Sequence, residues 1–345
     1  MKEFLHKIAK IFLILLLITL VITLAVVAFV FISHQKKLGD EASLIERPVG
    51  QMVEVNGTKV HVSVAGDEQA EETIVVLHGI GMVDASVAMQ PFINALSETY
   101  RVVYVDRPGN GFSVDGTEDK SVAGLTELTR DAIAQVGIEG EVILFAQTTG
   151  GIEACYWAAT YPEEVKAIVG LDMAFPEEYA EYNDENGEFN YMMYLFSAIG
   201  VTRYIDAAYP VDSYDLYSDK QMLVRKALIS KGGYTKDMYA EDKMLGENAR
   251  QTMEMDYSKV PMYLFLSNPI KEPYLSTDQE AVATLNDMKE QYPDYDFETA
   301  YNKSSIELID TYANVEYEEV AGPSALYTYI PEEMAEMIVT FLEDK

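Results

Sequence analysis

The chain has 345 residues, with 25 Lys+Arg against 57 Asp+Glu and a formal net charge of −32. Residues 1–40 hold five Lys, one Glu and one Asp, a net +3, so the remaining 305 carry −35. That charge repels phosphate backbones and excludes nucleic-acid binding, while 49% hydrophobic residues, with 24 Tyr and 13 Phe, exclude a disordered chain.

The first element is apolar. Ile11 to Ile32 is 22 residues without a charge, broken only by Thr19 and Thr23. As a helix it is ~33 Å long, enough to cross a hydrocarbon core of ~30 Å. A cleaved signal peptide is the alternative, but its apolar region is shorter and ends in a small-x-small site, which is missing here. The reading is a cytoplasmic stub at 1–10, a transmembrane helix at 11–32 and a polar linker at 33–49. The soluble domain is expected on the outer side of the cell membrane, since a short N-terminal stub before a single span usually stays inside. The remaining ~300 residues suit one large α/β domain, or a domain with an insertion.

Beyond the linker, Gln51–Val55 and Lys59–Val64 flank Asn56-Gly57, a strong hairpin signal. Apolar runs follow at 73–77, 101–105, 142–145 and 165–171, separated by helical stretches around 87–96 and 121–136 and a helix opening at Gly150-Gly151. Short β-branched runs alternating with helices indicate a parallel sheet covered on both faces. From Pro176 to about Lys259 the rhythm becomes helical, acidic and rich in Tyr and Met, which reads as a helical lid over 176–259. The Asp184–Glu188 run within it reads as a solvated acidic turn rather than a calcium loop. Strand rhythm returns at 260–266 and 315–320, and an amphipathic helix follows Pro331. Cys155, the only cysteine, excludes an intramolecular disulfide and reads as the buried face of a helix.

Three motifs stand at strand ends: His78-Gly79-Ile80-Gly81, Asp106–Ser113 and Ala146-Gln147-Thr148-Thr149-Gly150-Gly151. In that order they resemble the oxyanion loop, the D-x-R/P-G-x-G-x-S turn and the nucleophile elbow of the α/β-hydrolase superfamily. The resemblance spans residues 50–345 and implies an α/β-hydrolase fold: a mostly parallel sheet with helices on both faces, a core at 50–175 and 260–345, and the lid between. It puts Thr148 at the nucleophile position and the backbone N–H groups of Ile80 and Thr149 at the oxyanion, with His78, Gly79 and Gln147 around the pocket. The family's histidine follows the last strand, where this chain has Gly322-Pro323, so Pro323 replaces it. The family's acid follows the 260–266 strand, where Asn268 carries no charge; Asp172, one strand earlier, is the alternative seat.

Chemistry at these positions is expected to be lost. A neutral threonine is a poor nucleophile without a proton acceptor, and no histidine follows residue 78. The expected function is a membrane-anchored α/β-hydrolase-fold protein that binds a small apolar ligand or a protein partner. The alternative is an ester- or amide-type hydrolase using Thr148 with a non-standard base, such as His78. No zinc-like spacing or nucleotide loop is visible, so no metal or cofactor is expected.

Overall fold

A computed structural model describes residues 1–116, 119–182, 191–205 and 208–343, with only the backbone at Lys2 and Glu280. The Asp184–Glu188 turn lies outside the described residues. The eight strands are β1 (Gln51–Val55), β2 (Thr58–Ala65), β3 (Thr73–Leu77), β4 (Arg101–Val105), β5 (Val142–Gln147), β6 (Val165–Leu171), β7 (Met262–Asn268) and β8 (Val315–Ala321). They form one sheet in the order β1-β2-β4-β3-β5-β6-β7-β8. The hairpin turns at Asn56 and Gly57, both at positive φ (50° and 82°), which its tight two-residue loop requires. β2 pairs antiparallel with β1 and β4, and every later pairing is parallel. β5 is buried at all six positions, which explains why its sequence is a continuous apolar run rather than an alternating one.

The helices are α1 (Lys2–Ile45), α2 (Ala85–Ala88), α3 (Gln90–Leu96), α4 (Val122–Gln135), α5 (Gly150–Thr160), α6 (Pro176–Tyr179), α7 (Tyr191–Ile199), α8 (Asp219–Gly232), α9 (Lys236–Met253), α10 (Gln279–Gln291), α11 (Phe297–Tyr301), α12 (Lys303–Ile309) and α13 (Pro331–Glu343). On one face of the sheet, Leu128 and Ile133 of α4 and Cys155 and Trp157 of α5 pack on β3, β5 and β6. On the other, Phe92 and Leu96 of α3 meet Met334, Ile338 and Phe341 of α13. Burial pushes the Cys155 thiol well above the ordinary thiol range, so it is an inert packing residue. Between β6 and β7 the described residues form helices and turns only.

α1 is long and apolar enough to cross a membrane, and the large side chains of 11–32 are exposed. Within the segment expected as a polar linker, 33–49, the helix continues through Ile45. The continuation has partners: α1 packs against α7 and α8, His34 is buried, and Arg203 grips Glu41 through both guanidinium amino groups at 2.8 and 2.6 Å. Those contacts stabilise a segment whose polar composition alone suggested a linker.

Candidate functional site

The parallel strands end together, and β5 leads into α5 through a single sharp turn at Thr148. Thr148 has φ = 45°, a conformation that costs a β-branched residue ~1–3 kcal/mol and persists only where the surroundings enforce it. They do so here by hydrogen bonds. The Thr148 N–H donates to Leu171 O at 3.3 Å, and its carbonyl accepts from Gly151 and Ala174 N–H, both at 2.9 Å. Close packing adds to this. A Cβ at Gly150 would lie 2.5 Å from Leu77 O, and one at Gly151 2.4 Å from Ala174 O. The elbow geometry is intact, with a threonine at its tip.

Across the turn, Gly79 approaches so closely that a Cβ there would sit 1.9 Å from Thr148 Oγ1. The next residue, Ile80, points its N–H at Thr149 Oγ1, 3.0 Å away. The donor at the oxyanion position is therefore already satisfied by a neighbouring side chain. Beyond it the space is almost filled. Arg107, buried, spans Glu153 of α5 at 2.5 Å and Glu241 of α9, and Thr129 also donates to Glu153 at 2.9 Å. The two carboxylates raise the Arg107 pKa against its desolvation, while burial holds Glu241 above the ordinary carboxyl range. Asn248 of α9 closes the same wall by accepting from Val122 N–H at 2.8 Å and donating to Lys120 O at 2.9 Å. The void left among Ile80, Thr149, Glu153 and α9 is about 20 Å³, room for about one water.

The open space lies on the other side of Thr148. A cleft of about 310 Å³ is lined by Thr148, Asp172, Glu178, Ser267, Tyr301, Asn302, Ser305 and Ser324 over an apolar base of Met173, Phe175 and Leu266. Asp172 also has positive φ, 43°, and its carboxylate accepts from the Ser267 N–H at 2.8 Å and the Ser267 hydroxyl at 2.6 Å. Burial raises its pKa, with the Ser267 bonds opposing, and burial likewise raises Glu178, whose carboxylate accepts from Phe175 N–H at 2.8 Å. The lining contains no histidine, lysine or arginine.

The structure thus brings Thr148, Thr149, Gly79, Ile80 and Asp172 to one strand edge. His78 and Gln147, expected around the pocket, do not line the cleft. Both are buried under the elbow, at 1% and 5% exposure. His78 donates from Nδ1 to Gly79 O at 2.8 Å and stacks on Tyr104, with ring centroids 5.5 Å apart. Burial, aided by the Arg107 charge, lowers its pKa to about 3, so the ring stays neutral. Pro323 follows β8 half-buried, and its neighbour Ser324, rather than Pro323 itself, reaches the cleft lining. Asn268, at the family's acid position, is a structural tie: its side-chain amide donates to Glu298 O at 3.2 Å and its backbone carbonyl accepts from Gly322 N–H at 3.2 Å.

Sequence reasoning did not find the Arg107–Glu153–Glu241 cluster. The available signal was Glu153 itself, a lone charge on the apolar stretch 150–158. Nor did it find His61, which is buried with its Nδ1 2.8 Å from Asp106 Oδ2 and its Nε2 2.8 Å from Val49 O.

The strand order, the helices on both faces and the elbow after β5 define an α/β-hydrolase fold. Residues 72–196 match the family described as alpha/beta hydrolase fold. Over 327 residues the chain is 26% identical to the uncharacterized protein YbdG of Bacillus subtilis (strain 168), covering 93% of this chain and 94% of YbdG. Among solved structures it resembles a putative lipase of Acinetobacter baumannii AYE (TM-score 0.57, 16% identity, 90% of this chain and 96% of the other). It also resembles a bacterial membrane phospholipase A (TM-score 0.51, 20% identity, 97% and 98%). At these identities the structural likenesses speak to the fold alone.

Proposed function

We propose that this chain is a membrane-anchored α/β-hydrolase-fold protein that no longer performs triad hydrolysis and instead binds a small ligand in the cleft beside Thr148. One observation carries the reading: the cleft that holds Thr148 has no imidazole or other base with an ordinary pKa near 7. The four histidines are spent elsewhere. His6 is exposed on α1, His34 accepts from Arg203, His61 pairs with Asp106, and His78 is a buried neutral ring. A neutral threonine with no imidazole to take its proton does not attack an ester at useful rates. The bond from Ile80 N–H to Thr149 adds to this, since an oxyanion would first have to displace that hydroxyl.

The hydrolase alternative needs His78 or a residue of the 176–259 segment as base. The free Nε2 of His78 is buried without a hydrogen-bond partner and its protonated form is strongly disfavoured, while Glu178, in the cleft, is turned to the Phe175 N–H. The cleft volume sits at the lower end of ligand pockets, and its hydroxyls and carboxyls above an apolar base suit a small amphipathic molecule. A protein partner remains the second occupant of the expectation, but no described feature favours it over a ligand of this size.

The test uses the full-length chain in detergent, with a fluorophosphonate probe, a panel of p-nitrophenyl esters and Thr148→Ala as control. Neither labelling nor turnover above that control is expected. Stoichiometric labelling of Thr148 would overturn the reading. For binding, native mass spectrometry of the purified chain should find a small molecule that Ser305→Trp, which fills the cleft, no longer retains.

A further inference from the structure

α7 is built inside out for a helix that faces water. It buries Ser197, at 4% exposure, and exposes Tyr191, Met192, Leu195 and Phe196 at 52, 54, 36 and 40%. Positions 191, 192, 195 and 196 fall on one helical face, so these side chains form a single stripe. Tyr204 and Ile205, just beyond α7, extend it at 58 and 44% exposure. In a chain of net charge −32, residues 191–205 contain no Asp or Glu. Its rings face cations, Lys37 5.9 Å from the Tyr204 ring and Lys236 5.8 Å from the Tyr194 ring, and Glu41, the acid paired with the segment, is spent on Arg203.

The position of this stripe is fixed by α1. Gly200, which ends α7, is so close to His34 that a Cβ on it would lie 2.4 Å from His34 Cβ. Arg203 locks the contact, donating from Nε to His34 Nδ1 at 2.7 Å while gripping Glu41. His34 is two residues beyond Ile32, about 3 Å along a helix that is unbroken there. If 11–32 fills the hydrocarbon, Gly200 therefore stands at its edge, at the depth where Tyr and other amphipathic side chains concentrate.

We propose that the exposed face of α7, with Tyr204 and Ile205, rests in the headgroup–acyl boundary of the bilayer that α1 crosses. The occupant of this apolar face is then lipid, and the protein meets its membrane through two elements locked together at His34, Gly200 and Arg203. Since α7 and α9 belong to the same segment and pack together, the lipid contact holds the wall above Thr149 in place. The inference rests on reading α1 as a membrane span, and the experiment separates the two.

Bimane is attached to Phe196→Cys, Met192→Cys, Val21→Cys and Glu139→Cys in the full chain, with the unsubstituted chain correcting for buried Cys155. Each is reconstituted into phosphatidylcholine vesicles with or without brominated acyl chains. Val21 reports the span, and Glu139, at the opposite end of the sheet, reports water. Bromolipid is expected to quench Phe196 and Met192, as for side chains seated in the headgroup–acyl boundary, and to leave Glu139 unchanged. Quenching at Val21 but not at Phe196 or Met192 would overturn the proposal and leave the anchor standing, the result also expected if a second copy covers α7. No quenching at Val21 would overturn both.

Discussion

At the elbow, strain and crowding act on individual atoms. Thr148 keeps a left-handed backbone that suits an exposed nucleophile, although no imidazole lines the cleft beside it. Its conformation is held by the close approach of β3 to α5 at Gly150, where a new Cβ would meet the backbone carbonyl of Leu77 at 2.5 Å and the backbone of His78 at 3.2 Å. Backbone cannot rotate aside as a side chain can. Gly150→Ala is therefore expected to lower stability by about 1–3 kcal/mol, the usual cost of overpacking. Urea unfolding of the detergent-solubilised chain should show a lower midpoint at unchanged slope. A variant as stable as the parent would mean that β3 and α5 are not in this contact. Thr148→Ser with Pro323→His supplies an unhindered hydroxyl and the imidazole. Even so, only trace esterase activity is expected in a p-nitrophenyl ester assay, because Thr149 still occupies Ile80 N–H and Asp172 is turned to Ser267.

α9 is tied to the sheet domain through buried charge. Arg107 sits in the turn after β4, Glu153 on α5 and Glu241 on α9, all nearly solvent-free. Desolvating three charges is costly, and the cluster is tolerable only because each partner is present. Arg107→Leu leaves two buried carboxylates facing each other and is expected to cost about 3–5 kcal/mol. Adding Glu153→Gln and Glu241→Gln should return most of that loss, and a triple variant as unstable as the single one would show that Arg107 acts by shape rather than charge. This cluster also marks where the sequence stopped being legible. The strands were readable because β3 to β7 are apolar runs, and the elbow was readable from Ala146 and Gly150. The far end of α1 was not, because residues 33–45 are polar and their helicity comes from His34, Glu41 and Arg203, residues far apart in the chain. The cleft was equally hidden: Asp172, Ser267, Tyr301, Asn302 and Ser324 come from four separate stretches, and only Asp172 stood at a position the family pattern marks.

Over the whole molecule, 305 residues carrying −35 repel themselves, and carboxyls desolvated by their surroundings add to the effect. Asp172, Glu178 and Glu241 all have raised pKa values, with desolvation the largest cause in each. Unfolded, such groups titrate near ~4. Between that value and their raised folded values the native state binds more protons than the unfolded chain, so stability falls as pH rises through the window and returns on acidification. Asp119, Glu164 and Asp212 are shifted down and act in the opposite sense: their stabilisation is present above ~4 and disappears below it. His34 and His78, lowered by burial, also act in that opposite sense and lose stabilisation below ~6.5. They are two sites against three desolvated carboxyls and the surface repulsion, a balance that places the stability maximum on the mildly acidic side of neutrality. Thermal unfolding of the full-length chain in detergent is expected at a higher temperature at pH 5.5 than at pH 8. The two causes separate by salt and by substitution. Raising NaCl toward physiological strength, where exposed charges are screened beyond ~8 Å, should narrow the gap by relieving surface repulsion. Asp172→Asn should narrow it further at high salt, by removing one site whose full contribution is a slope of about 1.4 kcal/mol per pH unit. Stability that climbs steadily from pH 5 to 8, unaffected by Asp172→Asn, would show that the Asp172 carboxyl is not held in the desolvated seat beside Ser267.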